Sequence, residues 1–141
     1  MKKKRIAVSG GFDPVHIGHV RMIQEAAKFG DVIVICNSDA WLKRKKGYSF
    51  MSYDERSEIL RAFKGVKDVV EAYDDDGSVC ETLAHILPDI FANGGDRFST
   101  NTPEAQTCKK YGIEMLWGVG GGKIQSSSDL VDNMKQVKLN D

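Results

Sequence analysis

The chain has 141 residues, 41% of them hydrophobic and 28% charged, enough to bury one core with little left for a second. Twenty Lys and Arg balance twenty Asp and Glu, so no global field draws the protein onto nucleic acid or an anionic membrane, and any cationic site must be local. No apolar run reaches the roughly 18 residues of a membrane helix, and the basic start Met1 to Arg5 is followed by only Ile6-Ala-Val8, too short for a secretory signal. The expectation is one cytoplasmic domain over residues 1–141. Cys36, Cys80 and Cys108 form no CxxC pair and are odd in number, which argues against a disulfide framework or a structural zinc site; each is expected to be a small buried or half-buried residue.

Apolar runs alternate with helix-period segments along the whole chain. That alternation predicts a three-layer α/β/α Rossmann-like domain with a five-stranded parallel sheet. Arg5 to Ser9 is the first strand, ended by Gly10-Gly11, and Gly18 to Phe29 the first helix, closed by Gly30 as a C-terminal cap. Val32 to Cys36 is a continuous β-branched run, as expected of a strand covered on both faces. A basic loop follows from Asn37 to Met51. Ser52 and Glu55 form a capping box opening a second helix to about Phe63. Val66 to Tyr73 is the third strand, Asp74 to Gly77 a turn, and Ser78 to Leu87 a helix stopped by Pro88. Ile90 to Ala92 is a short fourth strand, Pro103 to Tyr111 a helix ended by Gly112, and Glu114 to Trp117 the fifth strand. A glycine-rich loop from Gly118 then leads to Ser126, Ser127 and Ser128, which cap a last helix.

In an open parallel sheet, ligands bind outside the carboxyl ends of the strands, so the loops that follow strands hold the chemistry. The first reads Ser9-Gly-Gly-Phe-Asp-Pro-Val-His-Ile-Gly-His19. Its glycines allow close approach of the backbone, the helix start offers unpaired amides, and His16 and His19 add aimed donors; together these describe an anion site. The bland alternative is that both histidines merely cap or pack. The second loop carries Lys43-Arg-Lys-Lys46, four adjacent cations in a neutral protein, and makes Lys45 and Lys46 candidates to hold an acceptor phosphate, against the alternative of a solvated face. The third, Asn93-Gly-Gly-Asp-Arg97, brings Gly94, Gly95 and Asp96 to a position where backbone and carboxylate can meet a base, a ribose or a metal-bound water. The fourth ends in the three serines. Gly118 to Lys123 is not a phosphate-binding P-loop, because Trp117 and Ile124 occupy positions that require Gly and Ser or Thr, and it is not GxGxxG either.

The segment His16-Ile-Gly-His19 resembles the His-x-Gly-His signature of the nucleotidyltransferase superfamily. Class I aminoacyl-tRNA synthetases share that signature, but their Lys-Met-Ser-Lys-Ser loop is absent. The likeness extends through Asn37-Ser-Asp-Ala40, Lys43-Arg44, Lys46-Gly47, Glu55-Arg56, Ile86-Leu-Pro-Asp89 and Gly94-Gly-Asp96, which look like the adenylyltransferase domain of bacterial heptose-1-phosphate adenylyltransferases; the framework is also similar to glycerol-3-phosphate cytidylyltransferase. The cytidylyltransferases carry an Arg-Thr-Glu-Gly-Ile-Ser-Thr segment where this chain has Gly120-Gly-Gly-Lys-Ile-Gln-Ser-Ser-Ser128, so their arginine is missing and Lys123 is the cation nearest its place. The resemblance implies transfer of a nucleoside monophosphate from an NTP, ATP before CTP, to a phosphorylated small molecule such as a sugar phosphate, with release of pyrophosphate. It further implies that His16 and His19 contact the triphosphate and that the backbone of Gly10, Gly11 and Phe12 runs along the nucleotide. Ser126 to Ser128 would bind its β- and γ-phosphates, with Asp13 and Lys123 as further candidate phosphate contacts. Mg2+ is expected to arrive with the triphosphate and few protein ligands. A homodimer is implied, with no nucleic-acid or membrane partner. A non-catalytic nucleotide-binding module stands as the alternative of a different class.

Overall fold

A computed structural model describes residues 4–72, 79–94 and 103–119 of the chain. Ten elements follow in order: β1 (Arg5–Gly10), α1 (Ile17–Ala26), β2 (Asp31–Cys36), α2 (Asp39–Lys46), α3 (Tyr53–Arg61), β3 (Val66–Glu71), α4 (Cys80–Ile86), β4 (Ile90–Gly94), α5 (Pro103–Tyr111) and β5 (Glu114–Val119). The strands form one five-stranded sheet in the order β3-β2-β1-β4-β5, and every described pairing is parallel. The expected architecture is therefore the observed one.

The period of two along each strand sorts side chains between two helical layers. On one face Ile6, Val8, Val32 and Val34 pack with Ile23 of α1 and Leu60 of α3. On the other, Ala7, Ile35 and Phe91 pack with Leu83 of α4 and Cys108 of α5. From Val32 to Cys36 every residue of β2 is buried, and full burial of one such aliphatic side chain contributes about 1.5–3 kcal/mol. Cys36 and Cys108 are buried and Cys80 half-buried, as their lone placement suggested.

Chain order gives the sheet a point where its winding reverses. Strands β2 and β3 lie on one side of β1, and β4 and β5 on the other, so the crevice between the carboxyl ends of β1 and β4 is the position where open α/β sheets take ligands. Register with β2 runs the whole length of β1, from Arg5–Asp31 to Gly10–Cys36. With β4 it covers Ile6–Ile90 and Ala7–Phe91, at the amino-terminal half of both strands. That end is pinned by Asp89, whose carboxylate accepts from the Arg5 N–H at 2.8 Å, and by the Arg5 guanidinium on the Ile86 carbonyl at 3.0 Å.

The structure corrects several expectations. Residues 39–46, read as part of a basic loop, are helix α2: the Ser38 hydroxyl caps its start by accepting the Trp41 N–H at 3.1 Å, and Gly47 ends it in the left-handed conformation at φ 85°. A helix also resolves the charge run, because Lys43 to Lys46 fan around the last turn, where the dipole favours cations. Helix α1 stops at Ala26, and Gly30 is not its cap. A Cβ at Gly30 would lie 2.2 Å from the Lys4 carbonyl oxygen, so the residue is needed for backbone approach. Strands β1, β4 and β5 each run one or two residues beyond the expected ends, β3 stops at Glu71, and α4 is the shorter segment Cys80–Ile86. The expected turn at Asp74 to Gly77 and the last helix after Ser126 lie outside the described residues.

Candidate active site

The β1–α1 turn is held by its own side chains. His16, in extended backbone, is the N-cap of α1. Its Nδ1 accepts the Gly18 N–H at 3.0 Å, and its own N–H donates to Nδ1 of His19 at 3.1 Å. This is a capping box made of two imidazoles. A ring whose Nδ1 accepts carries its proton, when neutral, on Nε2. The capping expected as the bland alternative is thus present, and it engages Nδ1 of each ring. The two rings stack with centroids 3.9 Å apart, and Phe12 tilts against His19 at 4.7 Å. Burial, and next the neighbouring His16, push the His19 pKa down to about 3, so His19 is a neutral donor throughout the physiological range.

Phe12 itself is buried at φ 54°, a left-handed conformation that costs a non-glycine residue about 1–2 kcal/mol. Its ring fills the space over Gly10, where a Cβ would come within 3.3 Å of it, and a Cβ on Gly11 would stand 3.0 Å from Leu42 of α2. The glycine pair is therefore demanded by packing of the turn against Phe12 and α2, whatever it also offers a nucleotide.

Asp13 is turned inward. Its carboxylate, 1% exposed, accepts from the N–H groups of Phe50 and Met51 and pairs with the Lys46 ammonium at 3.0 Å; Lys46 also donates to the Asp13 carbonyl at 2.8 Å. The expectation of Asp13 as a phosphate contact is corrected accordingly, since its carboxylate anchors the segment between α2 and α3. Lys46, expected to stand over an acceptor phosphate, is half-buried against Asp13 with its ammonium 4.9 Å from the Tyr48 ring. Lys45 is exposed and lies 4.7 Å over the Trp41 ring.

Arg56 is the residue sequence reasoning missed as a site former. It sits on α3 with no exposed surface, yet reaches four residues on three stretches of chain. Nε donates to the Met51 carbonyl at 3.0 Å, Nη1 to the carbonyls of Gly11 at 2.6 Å and Asn37 at 2.7 Å, and Nη2 to Asp39 at 2.8 Å. Burial alone would raise the Asp39 pKa, but hydrogen bonds from Arg56, the Tyr53 backbone and Ser49, together with the Arg56 charge, hold it below the usual carboxylate value. The Cys36 thiol, 3.3 Å from Nη1, is pushed up to about 11 chiefly by burial, so it is no nucleophile. The sequence signal was Glu55-Arg56 in the family pattern, which carries no hint of burial. Beside this hub, Asn37 is 5% exposed and its Oδ1 is, among the described residues, the buried side-chain polar atom without a hydrogen-bond partner, a condition that costs about 1–3 kcal/mol.

The structure thus brings Gly10, Gly11, Phe12, His16 and His19 together at the carboxyl end of β1, with α2 and its lysines on the β2 side. Gly94 ends β4 across the crevice. Gly95, Asp96, Lys123 and Ser126 to Ser128 lie outside the described residues. Among the described residues, no group of three or more His, Cys, Asp or Glu is placed to hold a metal ion, and no helix is long and apolar enough to cross a membrane.

A parallel sheet whose reversal point lies beside a paired-histidine helix start is a frame for an anionic ligand. Residues 7–133 match the cytidylyltransferase-like family, and the chain belongs to it. It is 35% identical over 140 residues to the bifunctional protein HldE of Syntrophotalea carbinolica, covering 97% of this chain and 26% of that protein. Against HldE of Streptomyces coelicolor it is 37% identical over 110 residues, 76% of this chain and 23% of the relative. The chain therefore spans about a quarter of the length of the curated relatives it matches. A lipopolysaccharide core biosynthesis protein from Thermoplasma volcanium shares the fold at TM-score 0.68 and 21% identity, covering 82% of this chain and 95% of that one.

Proposed function

We propose that this chain transfers an adenylyl group from ATP to a sugar phosphate and releases pyrophosphate. The observation that carries the reading is the imidazole capping box: two stacked, backbone-locked rings with Nδ1 committed to N–H groups of the turn, at a helix start beside the β1–β4 crevice. The reaction needs no enzyme nucleophile. An oxygen of the acceptor phosphate attacks the α-phosphorus in line, the bond to the bridging oxygen breaks, and pyrophosphate leaves with the electron pair. His16 and His19 act as Nε2–H donors to the triphosphate as charge builds on the leaving oxygen, and fixed donors of this kind cost little reorganisation. Neutral His19 donates without carrying a proton that would have to be managed in the cycle.

In this reading Lys45 meets the acceptor phosphate, Gly94 to Asp96 line the nucleotide, Ser126 to Ser128 hold the outer phosphates, and Mg2+ enters as part of the nucleotide substrate. The unit is residues 1–141 as one domain, working as a homodimer in the cytoplasm. Adenylyl rather than cytidylyl transfer is favoured by the likeness to the HldE proteins and by the missing cytidylyltransferase arginine at Gly120 to Ser128. Four NTPs screened against sugar 1-phosphates and glycerol 3-phosphate, read by pyrophosphate release, test this. ATP with a sugar phosphate should be fastest. A clear preference for CTP with glycerol 3-phosphate replaces the reading by its cytidylyltransferase counterpart, and nucleotide binding without pyrophosphate release from any pair leaves a binding module.

A further inference from the structure

The unmet side-chain oxygen of Asn37 stands out among the described residues, whose other buried side-chain polar atoms have hydrogen-bond partners. The Asp13 carboxylate takes three donors and the Arg56 guanidinium serves four oxygens. The Asn37 main chain is equally committed, its N–H donating to the Gly10 carbonyl at 3.0 Å and its carbonyl accepting from Arg56 at 2.7 Å. Both ends of the residue are thus fixed at the carboxyl edge of the sheet, directly after β2. Its Oδ1 is nonetheless buried without a partner, in a fold that leaves such atoms unmet only rarely.

Position assigns the missing partner to one side of the site. The crevice made by the reversal of winding lies between β1 and β4, whereas Asn37 lies on the other side of β1, one residue before the Ser38 cap of the helix that carries Lys45. A nucleotide in the crevice leaves the β2 side to the second substrate. Chemistry narrows the class further. A phosphate or carboxylate oxygen cannot satisfy a carbonyl oxygen, while a hydroxyl can; and because a hydroxyl both donates and accepts, it satisfies the amide in either orientation of its oxygen and nitrogen.

We infer that Asn37 is a specificity-determining residue for the acceptor, its side-chain amide pairing with one hydroxyl of a polyhydroxylated phosphate. This rests on the two-substrate reading above and deepens it: Lys45 meets the phosphate end of the acceptor and Asn37 its sugar ring. A site that hydrogen-bonds a substrate hydroxyl discriminates strongly against the analogue lacking it, because the buried amide is then left unpaired again.

The test compares wild type with Asn37→Ala and Asn37→Asp, using ATP with heptose and hexose 1-phosphates and their monodeoxy analogues, read by pyrophosphate release. In the wild type, one deoxy position should lower kcat/KM by about 10-fold or more. Asn37→Ala should be nearly blind to that same position and keep its KM for ATP within about twofold, while Asn37→Asp, which retains an accepting oxygen, should keep the discrimination. An unchanged analogue profile in Asn37→Ala overturns the inference, whether or not the melting temperature falls; a fall alone assigns the amide to a buried water. Equal losses toward ATP and acceptor overturn it as well. Should the wild type turn over none of these sugars, the proposed reaction fails, and calorimetric titration of the same sugar phosphates decides Asn37 separately. Weaker binding by Asn37→Ala sustains the hydroxyl contact, and equal or absent binding in both proteins removes it.

Discussion

The two flanks of the site keep their shape by opposite means. The β1–α1 turn is held without an ion pair, by two imidazoles capping their own helix and a strained, buried Phe12 wedged over Gly10. The α2 flank is held by charge, with Arg56 gathering carbonyls and Asp39, and Asp13 gathering Lys46 and two amides. On the first flank His19, its pKa pushed down to about 3, can face a triphosphate without titrating between pH 6 and 8. A charged flank fixes backbone segments distant in sequence, at the cost of strong dependence on each member.

That contrast fails or sharpens on four substitutions. The largest effect is expected from Arg56→Met, which strips donors from the Gly11, Asn37 and Met51 carbonyls and leaves the partly exposed Asp39 to Ser49 and the Tyr53 backbone. Each buried carbonyl left without its donor costs about 1–3 kcal/mol, so urea unfolding should show the variant close to the stability limit. A loss below about 1 kcal/mol would mean that the α2 flank does not depend on charge.

Next in size are the paired variants His19→Gln and His19→Ala. Glutamine at the third helical position keeps an acceptor for the His16 N–H but removes the Nε2–H donor. Both should lose about 10²- to 10³-fold in kcat, while only His19→Ala should lose a further ~1 kcal/mol of stability from the broken cap. Full activity in His19→Gln would reduce the ring to a cap.

A smaller, pH-dependent effect follows from His19 burial. Its pKa falls from 6.5 to about 3 on folding, so between those values the unfolded chain binds a proton that the folded one refuses. Its contribution is fully present above pH 6.5 and is lost progressively as pH falls toward 3. Urea midpoints at pH 7.5, 5.5 and 4.5 should decline less in His19→Gln than in wild type, and parallel declines would contradict neutral burial of the ring. The smallest stability change belongs to Lys45→Ala, which forfeits an exposed cation–π contact with Trp41 worth about 0.5–1 kcal/mol. Its acceptor KM should rise several-fold while its ATP KM stays, and added KCl should affect that KM less than in wild type. Equal shifts in both KM values would return Lys45 to the solvated surface.

How much of this was legible depends on where the determining partners lie. Strand β2 could be read because a parallel strand covered on both faces needs five apolar residues in a row. Helix α5 could be read to its bounds because Pro103 and Gly112 mark them. Helix α2 was misread because Trp41 and Leu42 are its only large apolar residues and make no helical stripe; the flanking Ser38 and Gly47 were the usable signals. His16 and His19 were visible as identities, but the division of labour between their nitrogens depends on backbone N–H groups whose positions no residue type announces. Arg56 was illegible for the same reason in stronger form, since its partners are the carbonyls of Gly11, Asn37 and Met51 and the Asp39 carboxylate, brought together from three stretches of chain. Asn37 appeared in the family pattern as a letter; only its burial without a partner makes it a question.

The short register between β1 and β4 has a consequence for how the molecule holds together. Two aligned pairs at one end join the β3-β2-β1 unit of the ladder to the β4-β5 unit, while both hydrophobic layers run across the join, Ile6 and Val8 packing with Ile90 and Ala92 on one face and Ala7 with Phe91 on the other, so side-chain burial supplies the cohesion that the short ladder does not. A nucleotide bound in the crevice bridges both units and stabilises them jointly, by about 2.7 kcal/mol at a hundredfold excess over its Kd. Amide exchange in β4 and β5 should slow along with that in β1 when ATP is added, although ATP need touch only the rim of either unit, and the melting temperature should rise with ATP concentration.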